Sequence, residues 1–537
     1  MSTQFNEEQR FGSASRADAA SLARAELFGR DGLHVGFWGS RPLRVDGDAP
    51  LMTVAGAGSG KTRDQLAYIM CSSPGIPMIV LNPRGEHDAV SMVNHARHGE
   101  FAYSWNPVRL PGSTHHRCNP LDIHKLESPT FHTDTKFFAE GLIPLSGSAN
   151  GQYFEQRGRD WTDDITKARV EQNGFTSFPD LYRTVNTVES DPPAWADVAE
   201  FMLNSRFDSV RRTAGEMLTK QREAPKEFGA IMGTIHAHLS FMSDPVLQDA
   251  LEASDFSLEA VCDPEQVCKI FLNVPAEYLG IWAPLIRTFF TVAMLYKSRH
   301  PQRRRVLMVV DEAGQLGRFE ALLRAFTYGR GAGIRTWAIF QDVGQIVRHY
   351  GRPALQSFLG SAQTRQFFGV RDYETARLVS DMLGTETLEY DDPWRQGDAR
   401  HRKQAAALNL VMGDDPFSAG AEYAHYARAS ENRDKQARPL MTPDEVLAMP
   451  EDRQILFISG KNLKPVYAWK YPYFERHEMA GRYLPNPWHP PSDRVRIKTR
   501  FGSKWVRVVT EAVPSSHAHY PQYQDGTYSY VEGFKPF

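Results

Sequence analysis

A glycine-rich stretch between an apolar run and a helix-forming segment is the part of this sequence best suited to chemistry. It consists of Ala55, Gly56, Ala57, Gly58, Ser59, Gly60, Lys61 and Thr62. Glycines let the backbone turn its N–H groups around a phosphate chain, and a helix that begins there adds free N–H groups and a positive dipole end. Lys61 is suited to reach the β- and γ-phosphates, and the Thr62 hydroxyl to hold Mg²⁺. The stretch is therefore predicted to bind the phosphates of a nucleotide.

The order of local structure supports this interpretation over a chance glycine-rich turn. The motif G-x-x-x-x-G-K-[ST] needs a strand before it and a helix after it. Residues 51–54 are apolar and residues 63–70 have a helix-like pattern. The first glycine of the motif is replaced by Ala55. This is a mild change, because the later glycines line the phosphates.

An acidic pair ends a second apolar run. Asp311 and Glu312 follow residues 306–310, as expected of a Walker B strand in which the aspartate joins the Mg²⁺ shell and the glutamate polarises the attacking water. The pattern is common by itself and becomes specific downstream of a phosphate-binding loop. Gln341 follows the apolar run 335–340 and is suited to sense the γ-phosphate or orient water, although an ordinary glutamine at a strand end fits equally well.

Composition indicates an ordinary globular protein. The chain has 537 residues, 41% of them apolar and 23% charged, with a formal net charge of −2, so it should form two or more domains and nothing global indicates nucleic-acid binding. The four cysteines form no C-x-x-C pair, which favours a reduced, cytoplasmic setting. No signal peptide is expected, because residues 1–30 are polar and mixed in charge. No transmembrane segment is expected, because the longest apolar stretch, 278–296, contains Pro284 and Arg287.

The pattern of apolar runs predicts an α/β fold with a mostly parallel central sheet and an inserted all-helical domain. Strand-like runs disappear between about 125 and 250, where helical periodicity dominates. The predicted divisions are a lead-in at 1–30, a first nucleotide-binding part at 31–124, the helical insertion at 125–250, a second nucleotide-binding part at 251–484 with a loop-like stretch at 386–437, and a Pro- and aromatic-rich tail at 485–537.

Two local groups of basic residues are candidate nucleic-acid surfaces. A solvated, ordinary charged face is the alternative for both. The group in the helical insertion is Arg206, Arg211, Arg212, Lys220 and Arg222, and the group in a predicted C-terminal hairpin turning at Gly502 and Ser503 is Arg494, Arg496, Lys498, Arg500, Lys504 and Arg507.

The chain resembles the type IV coupling proteins (TraG/TraD type) of conjugation and type IV secretion. The resemblance covers roughly residues 32–475 and depends on the order and spacing of short motifs. These motifs lie at 55–62, 82–86, 119–121, 311–317, 329–335, 341–346, 373–376 and 438–445.

This resemblance implies a RecA-like domain that assembles as a ring, expected to be a homo-hexamer. It implies hydrolysis of ATP with Mg²⁺, coupled to delivery of DNA or a relaxase–DNA complex to the components of a secretion channel. Ring ATPases often complete the site with an arginine from the neighbouring subunit. Arg330 is the first candidate for that residue and Arg335 the second; the alternative is that each makes an ordinary ion pair.

Two features depart from the family pattern. The usual Asp-Pro-Lys-Gly-Glu begins here with Asn82, so a metal-side role for that position is lost. Family members usually carry membrane helices near the N-terminus, and no such helix is expected here. We therefore expect either a separate membrane-anchor protein that docks this chain at the periphery of the inner membrane, or a soluble receptor and motor. Other readings left open are a soluble DNA-translocating ATPase of packaging or segregation, and a substrate receptor that binds nucleotide without hydrolysing it.

Overall fold

The computed structural model describes residues 9–146, 149–390, 392–412, 416–431 and 434–537. These residues form two compact units. The small unit contains residues 370–450, 464–466 and the described residues up to Asp18. The sheet unit contains residues 19–369, 451–463 and 467–537, and it holds every predicted site residue.

Sixteen strands are present in the described residues. They are β1 Leu33–Trp38, β2 Arg41–Val45, β3 Leu51–Ala55, β4 Met78–Pro83, β5 Phe101–Trp105, β6 Cys268–Val274, β7 Val306–Val310, β8 Ile334–Phe340, β9 Thr364–Phe368, β10 Thr385–Tyr390, β11 Asp434–Pro439, β12 Arg453–Ile458, β13 Val466–Trp469, β14 Arg494–Thr499, β15 Gly502–Ala512 and β16 Thr527–Val531.

The same residues form eighteen α-helices. They are α1 Ala19–Arg24, α2 Ala67–Ser72, α3 Glu86–Arg97, α4 Phe131–Leu142, α5 Ala149–Asn173, α6 Phe178–Ser190, α7 Pro192–Leu203, α8 Asp208–Glu223, α9 Pro225–Leu239, α10 Pro245–Glu252, α11 Ala283–Arg299, α12 Glu320–Tyr328, α13 Val343–Tyr350, α14 Arg352–Ser361, α15 Tyr373–Leu383, α16 Pro393–Met412, α17 Pro416–Glu431 and α18 Pro443–Leu447.

Eleven strands form one central sheet, in the order β2-β1-β13-β12-β9-β3-β8-β7-β4-β6-β5. The seven strands from β9 to β5 run parallel, whereas β12 pairs antiparallel with β9. Strands β3, β6, β7 and β8 are buried along their whole length, as expected for a sheet covered on both faces. The predicted α/β class with a mostly parallel sheet is confirmed.

The register of this sheet determines where the site lies. Val54 pairs with Phe340, and Val310 pairs with Ala338, so β3, β8 and β7 end at the same edge. The phosphate-binding loop, Gln341 and the acidic pair each follow one of these strands. Ligands of open α/β sheets bind at this carboxyl edge.

The chain between β5 and β6 is helical, as predicted. Its described residues form the seven helices α4 to α10 and no strand. The helices belong to the same compact unit as the sheet, so the division at 125–250 stays a prediction.

The prediction of a loop-like stretch at 386–437 is wrong. Its described residues form β10, α16, α17 and β11, with the two strands paired antiparallel. They belong to the small unit, whereas the sequence assigned them to the second nucleotide-binding part. Alanine, arginine, lysine and glutamate all favour helix, so a polar sequence rich in them can form a helix whose surface is mostly exposed. High polarity was therefore a poor indicator of a loop.

The C-terminal tail forms a three-stranded sheet of β14, β15 and β16. Thr499 pairs with Gly502, so the hairpin turns at Arg500 and Phe501, two residues before the predicted turn. The tail packs on α3 and β5. Leu484 donates its backbone N–H to Val90 at 2.9 Å, and the Gln522 side chain accepts from the backbone of Ala102 at 3.0 Å.

Within the described residues, no helix is both long enough and apolar enough to cross a bilayer. The four cysteines are buried as free thiols.

Candidate nucleotide-binding site

The phosphate-binding loop follows β3 and is shaped by two glycines with left-handed backbone. Gly58 has φ 72° and Gly60 has φ 83°. A Cβ atom on Gly60 would lie 2.3 Å from Asp64 Oδ2, so this position cannot carry a side chain without a shift of Asp64. The helix after the loop begins as a π-helical turn at Thr62–Leu66 and continues as α2. Such turns occur frequently at functional sites.

The acidic pair lies directly against the lysine of the loop. Lys61 Nζ is 3.1 Å from Asp311 Oδ1 and contacts Glu312 Oε1. Burial disfavours the charged forms of both Lys61 and Asp311. Attraction to Asp311 and Glu312 nevertheless raises the pKa of Lys61, and attraction to Lys61 and His87 lowers the pKa of Asp311. Residues about 250 positions apart in the sequence thus meet as predicted.

Two side chains hold the carboxylate of Glu312, one at each oxygen. Its Oε1 contacts Lys61, and its Oε2 accepts a hydrogen bond from Gln341 Nε2 at 2.8 Å. The backbone of Glu312 is left-handed, with φ 57°. For a residue with a side chain this conformation is strained, and such strain concentrates at active sites.

Gln341 is itself fixed by a side chain that the sequence did not indicate. Its backbone N–H donates to Gln345 Oε1 at 3.0 Å. Gln345 approaches so closely that a Cβ on Gly314 would lie 2.1 Å from Gln345 Oε1. Gly314 therefore leaves the space that lets Gln345 hold Gln341 beside Glu312.

The loop after β4 leads into α3, whose first turn brings a buried histidine to the acidic pair. His87 is 3% exposed, and its Nε2 lies 3.6 Å from Asp311 Oδ2. Asn82 supports this loop, because its amide donates to Asp88 Oδ1 at 2.8 Å and to Asn273 Oδ1 at 2.7 Å. From the sequence, Asn82 was interpreted only as the loss of a carboxylate, and no role was predicted for His87. The only indication in the sequence was that polar residues directly follow the apolar runs of β4 and β7, which are neighbours in the sheet.

A buried lysine holds the phosphate-binding loop from below. Lys470 Nζ donates to the backbone oxygen of Ser59 at 2.7 Å and lies 3.5 Å from Asp64 Oδ2. Burial lowers the pKa of Lys470, and Asp64 opposes that effect. The ammonium also lies 4.1 Å from the centre of the Phe368 ring. Its sequence signal was a single lysine at the end of an apolar strand.

The two candidate arginines lie elsewhere. Arg330 precedes β8, so it lies at the sheet edge opposite the phosphate-binding loop that follows β3. Its side chain is 69% exposed, and its Nε donates to Asp48 Oδ2 at 2.8 Å. It is outside the site of its own chain, and a role in a neighbouring subunit stays a prediction. Arg335 is buried and donates to the backbone oxygens of Ala49 at 3.2 Å and Val45 at 3.4 Å, which argues against that role.

The basic group in the helical segment is neutralised locally. Each of its members forms an ion pair: Arg206 with Glu171 at 3.7 Å, Arg211 and Arg212 with Asp208 at 3.3 and 3.4 Å, Lys220 with Glu227 at 2.5 Å, and Arg222 with Glu223 at 2.6 Å. This pattern favours an ordinary charged surface over a nucleic-acid surface.

A cavity of about 690 Å³ opens on the phosphate-binding loop. Gly58, Gly60, Lys61 and Thr62 line one end of it, together with His87. Its size lies within the range of small-molecule sites. The donor set fits a Mg²⁺-bound nucleoside triphosphate, because a lysine, loop N–H groups and a hydroxyl line the cavity and the Asp311 carboxylate lies 3.1 Å from that lysine.

Fold and site together define a P-loop nucleotide-binding protein. The chain belongs to the family described as type IV secretory system conjugative DNA transfer, whose model matches residues 5–411 and 414–494. The resemblance to coupling proteins seen in the motifs is thereby confirmed.

Individual relatives are distant. The conjugal transfer protein TraG of Escherichia coli is 22% identical over 446 residues, covering 78% of this chain and 65% of that protein. The probable conjugal transfer protein TraG of Sinorhizobium fredii is 26% identical, covering 55% of this chain and 42% of that one. The type IV secretion system-coupling protein VirD4 of Bartonella henselae is 26% identical, covering 50% and 38%. The alignments thus span less than two thirds of the length of these three relatives.

Solved structures of the conjugative coupling protein TrwB share the fold. The unbound monoclinic form of TrwBdeltaN70 has a TM-score of 0.62 and 16% identity, covering 86% of this chain and 93% of that one. TrwB in complex with ADP and Mg²⁺ has a TM-score of 0.61 and 17% identity, covering 87% and 96%.

Proposed function

We propose that this chain is the ATPase of a type IV coupling protein, using hydrolysis of ATP with Mg²⁺ to drive DNA into a conjugative secretion channel. The observation that carries the proposal is the convergence of Lys61, Asp311, Glu312 and Gln341 at one sheet edge. Membership of the conjugative DNA transfer family supports the DNA substrate. The complex of TrwB with ADP and Mg²⁺ supports the choice of nucleotide and metal.

Each residue has a defined role in this proposal. The ammonium of Lys61 and the N–H groups of the loop bind the phosphates, while the Thr62 hydroxyl and the Asp311 carboxylate hold the metal. Mg²⁺, when bound, offsets the charge of the phosphates. Glu312 accepts a proton or hydrogen bond from the attacking water, and Gln341 keeps the Glu312 carboxylate aimed at it.

The proposal includes partners of defined kinds. Its substrate is DNA or a relaxase–DNA complex, and its destination is the secretion channel. Assembly as a homo-hexamer would place Arg330 of one subunit where it can act on the next. Co-purification of a relaxase–DNA complex tests the substrate, and the solution mass tests the assembly.

The direct test measures ATP hydrolysis with and without DNA. We expect DNA to stimulate the wild-type rate and Lys61→Ala to lower it by at least roughly 10³-fold, because the variant lacks the phosphate-binding charge. Lys226→Ala removes an exposed lysine of the helical segment and serves as the control. Equal turnover in Lys61→Ala and Lys226→Ala would contradict the site, and unstimulated hydrolysis would contradict the coupling to DNA.

A further inference from the structure

The cavity at the phosphate-binding loop has a second end, which the C-terminal part of the chain builds. Here it is lined by aromatic, amide and basic side chains. We call these residues the far wall: Tyr483, Asn486, His489, Arg494, Arg496 and Trp505. The family match ends at residue 494, so part of this wall lies outside the family description.

We propose that the far wall binds the base and ribose of the nucleotide whose phosphates lie on the glycine-rich loop. The inference rests on the proposed function and adds a specificity site to it. The two ends of the cavity differ as the two ends of a nucleotide do. One end offers N–H groups and the Lys61 ammonium to an anion, and the other offers a flat aromatic surface next to guanidinium groups.

The hairpin of β14 and β15 gives the wall its chemistry. Arg496 pairs with Trp505 across the two strands, and residues directly opposite each other project from the same face. The Trp505 side chain is 56% exposed, and the guanidinium carbon of Arg494 lies 5.6 Å from the centre of its ring. An exposed indole with two arginines beside it, all lining one cavity, suits stacking with a base and contact with a ribose or phosphate oxygen.

Apolar packing beneath the hairpin holds the wall in place. Val495 and Ile497 alternate with the arginines of β14 and are buried. They join a core cluster that contains Phe37 of β1, Tyr68 of α2 and Tyr483 of the wall itself. The hairpin therefore presents its basic and aromatic face from a fixed support.

Hydrogen bonds attach the wall and the adjacent Trp488 to the loop after β4, which leads into the turn of α3 that carries His87. Asn486 Nδ2 donates to Glu86 Oε2 at 3.0 Å, and Trp488 Nε1 donates to the backbone oxygen of Arg84 at 2.8 Å. That turn of α3 places His87 beside Asp311. The position of the far wall relative to the acidic pair is thus determined by a short chain of direct contacts.

Aromatic and basic residues also bind single-stranded DNA. The nucleotide is favoured because these residues line the same cavity as Gly58, Gly60 and Lys61. A triphosphate bound to that loop brings its own base into this cavity.

The test compares ATP with inorganic tripolyphosphate, which has the phosphates but no base. Calorimetric titration of the full chain should show that Trp505→Ala weakens ATP binding about tenfold, since loss of base stacking removes an interaction of this order, and changes tripolyphosphate binding less than twofold. Trp505→Phe should retain most of the ATP affinity. Lys61→Ala should weaken both ligands.

Phe501→Ala is the matched control. It removes an aromatic side chain from the same hairpin, 93% exposed at its turn and outside the lining of the cavity, and should leave both affinities unchanged. The inference is overturned if Trp505→Ala leaves ATP affinity intact, or weakens ATP and tripolyphosphate equally. It is also overturned if Trp505→Ala lowers binding of a labelled single-stranded oligonucleotide while ATP affinity is unchanged, which would assign the wall to DNA. Failure of the wild-type chain to bind either ligand would instead refute the proposed function itself, and this inference with it.

Discussion

The two ends of the nucleotide cavity are built in different ways. The phosphate end depends on a short continuous motif plus an acidic pair, and its charges are buried and held by direct partners. The far wall takes its residues from a loop, a turn and two strands, and its two arginines and Trp505 are exposed. Phosphate recognition uses backbone N–H groups that a local sequence can arrange, whereas a stacking surface can be assembled from any part of the chain that reaches it.

The largest effect should come from the carboxylate at the phosphate end. Glu312→Gln keeps the size of the side chain but removes the charge that activates water in the proposed mechanism, so the hydrolysis rate should fall at least roughly 10³-fold. ATP affinity should be retained, because Lys61 and the loop are unchanged. Single-turnover hydrolysis and equilibrium ATP binding measure the two properties separately.

Glu127→Gln is the control for that variant, because it neutralises an exposed glutamate of the helical segment. Wild-type turnover in Glu312→Gln would show that the Glu312 carboxylate does not activate the attacking water, and the catalytic role proposed for it would be refuted.

A second prediction concerns whether the phosphate end needs an arginine from a neighbouring subunit for hydrolysis. Arg330→Ala should lower hydrolysis roughly 10³-fold if the arginine acts on a neighbouring subunit. Mixing Arg330→Ala with Lys61→Ala should restore part of the activity, because some interfaces in a mixed ring combine an intact loop with an intact arginine. If the mixture is no more active than either variant alone, Arg330 does not act on a neighbouring subunit. Its role would then be limited to its ion pair with Asp48.

A third prediction concerns the lysine that supports the loop. Lys470→Met keeps an apolar stem of similar length but removes the donor to Ser59, so ATP should bind about tenfold more weakly and the free energy of unfolding should fall by about 2 kcal/mol. Chemical denaturation and calorimetry measure these quantities, with Lys226→Met as control. A loss of stability without loss of ATP affinity would show that Lys470 supports the fold but not the loop.

The smallest expected effect concerns the stability of the apolar packing beneath the far wall. His34 is buried, stacked on Tyr68 at 4.5 Å between ring centres, and burial lowers its pKa to about 3. The unfolded chain binds a proton at this residue near pH 6.5, so its contribution to stability is present above pH 6.5 and is lost as the pH falls toward 3. The loss is about 1.4 kcal/mol per pH unit below 6.5.

Thermal unfolding at pH 7.0 and 5.5 tests this expectation. His34→Phe keeps a ring against Tyr68 but cannot be protonated, so it should reduce the pH dependence of the melting temperature. An identical pH dependence in His34→Phe and wild type would assign the acid sensitivity to other groups.

Much of the phosphate end could be predicted because its signals are local. Lys61 follows its glycines directly, and Asp311 and Glu312 follow an apolar strand directly. The parallel sheet rule then places both at one edge. Lys470 and His87 could not be predicted, because neither belongs to a motif and each acts through a residue far away in the sequence.

Secondary structure was predicted wrongly or missed where the polarity of a segment does not match the structure that it forms. Residues 393–412 and 416–431 are polar, yet they form helices, because helix propensity does not require an apolar face. Strand β5, Phe101–Trp105, was not predicted. It is short and has only part of its length in the buried core, so its apolar run is weak.

The sequence by itself determined the glycine-rich loop, the acidic pair, the α/β class and the family, because each depends on residues adjacent in the chain or on a repeated pattern of them. Only the tertiary structure decided that the C-terminal hairpin closes the same cavity as the loop, that Lys470 supports the loop, and that Arg330 lies outside its own site. These facts depend on where separate segments pack, and packing is set by buried apolar contacts such as those of Val495 and Ile497 with Tyr483, which no local motif records.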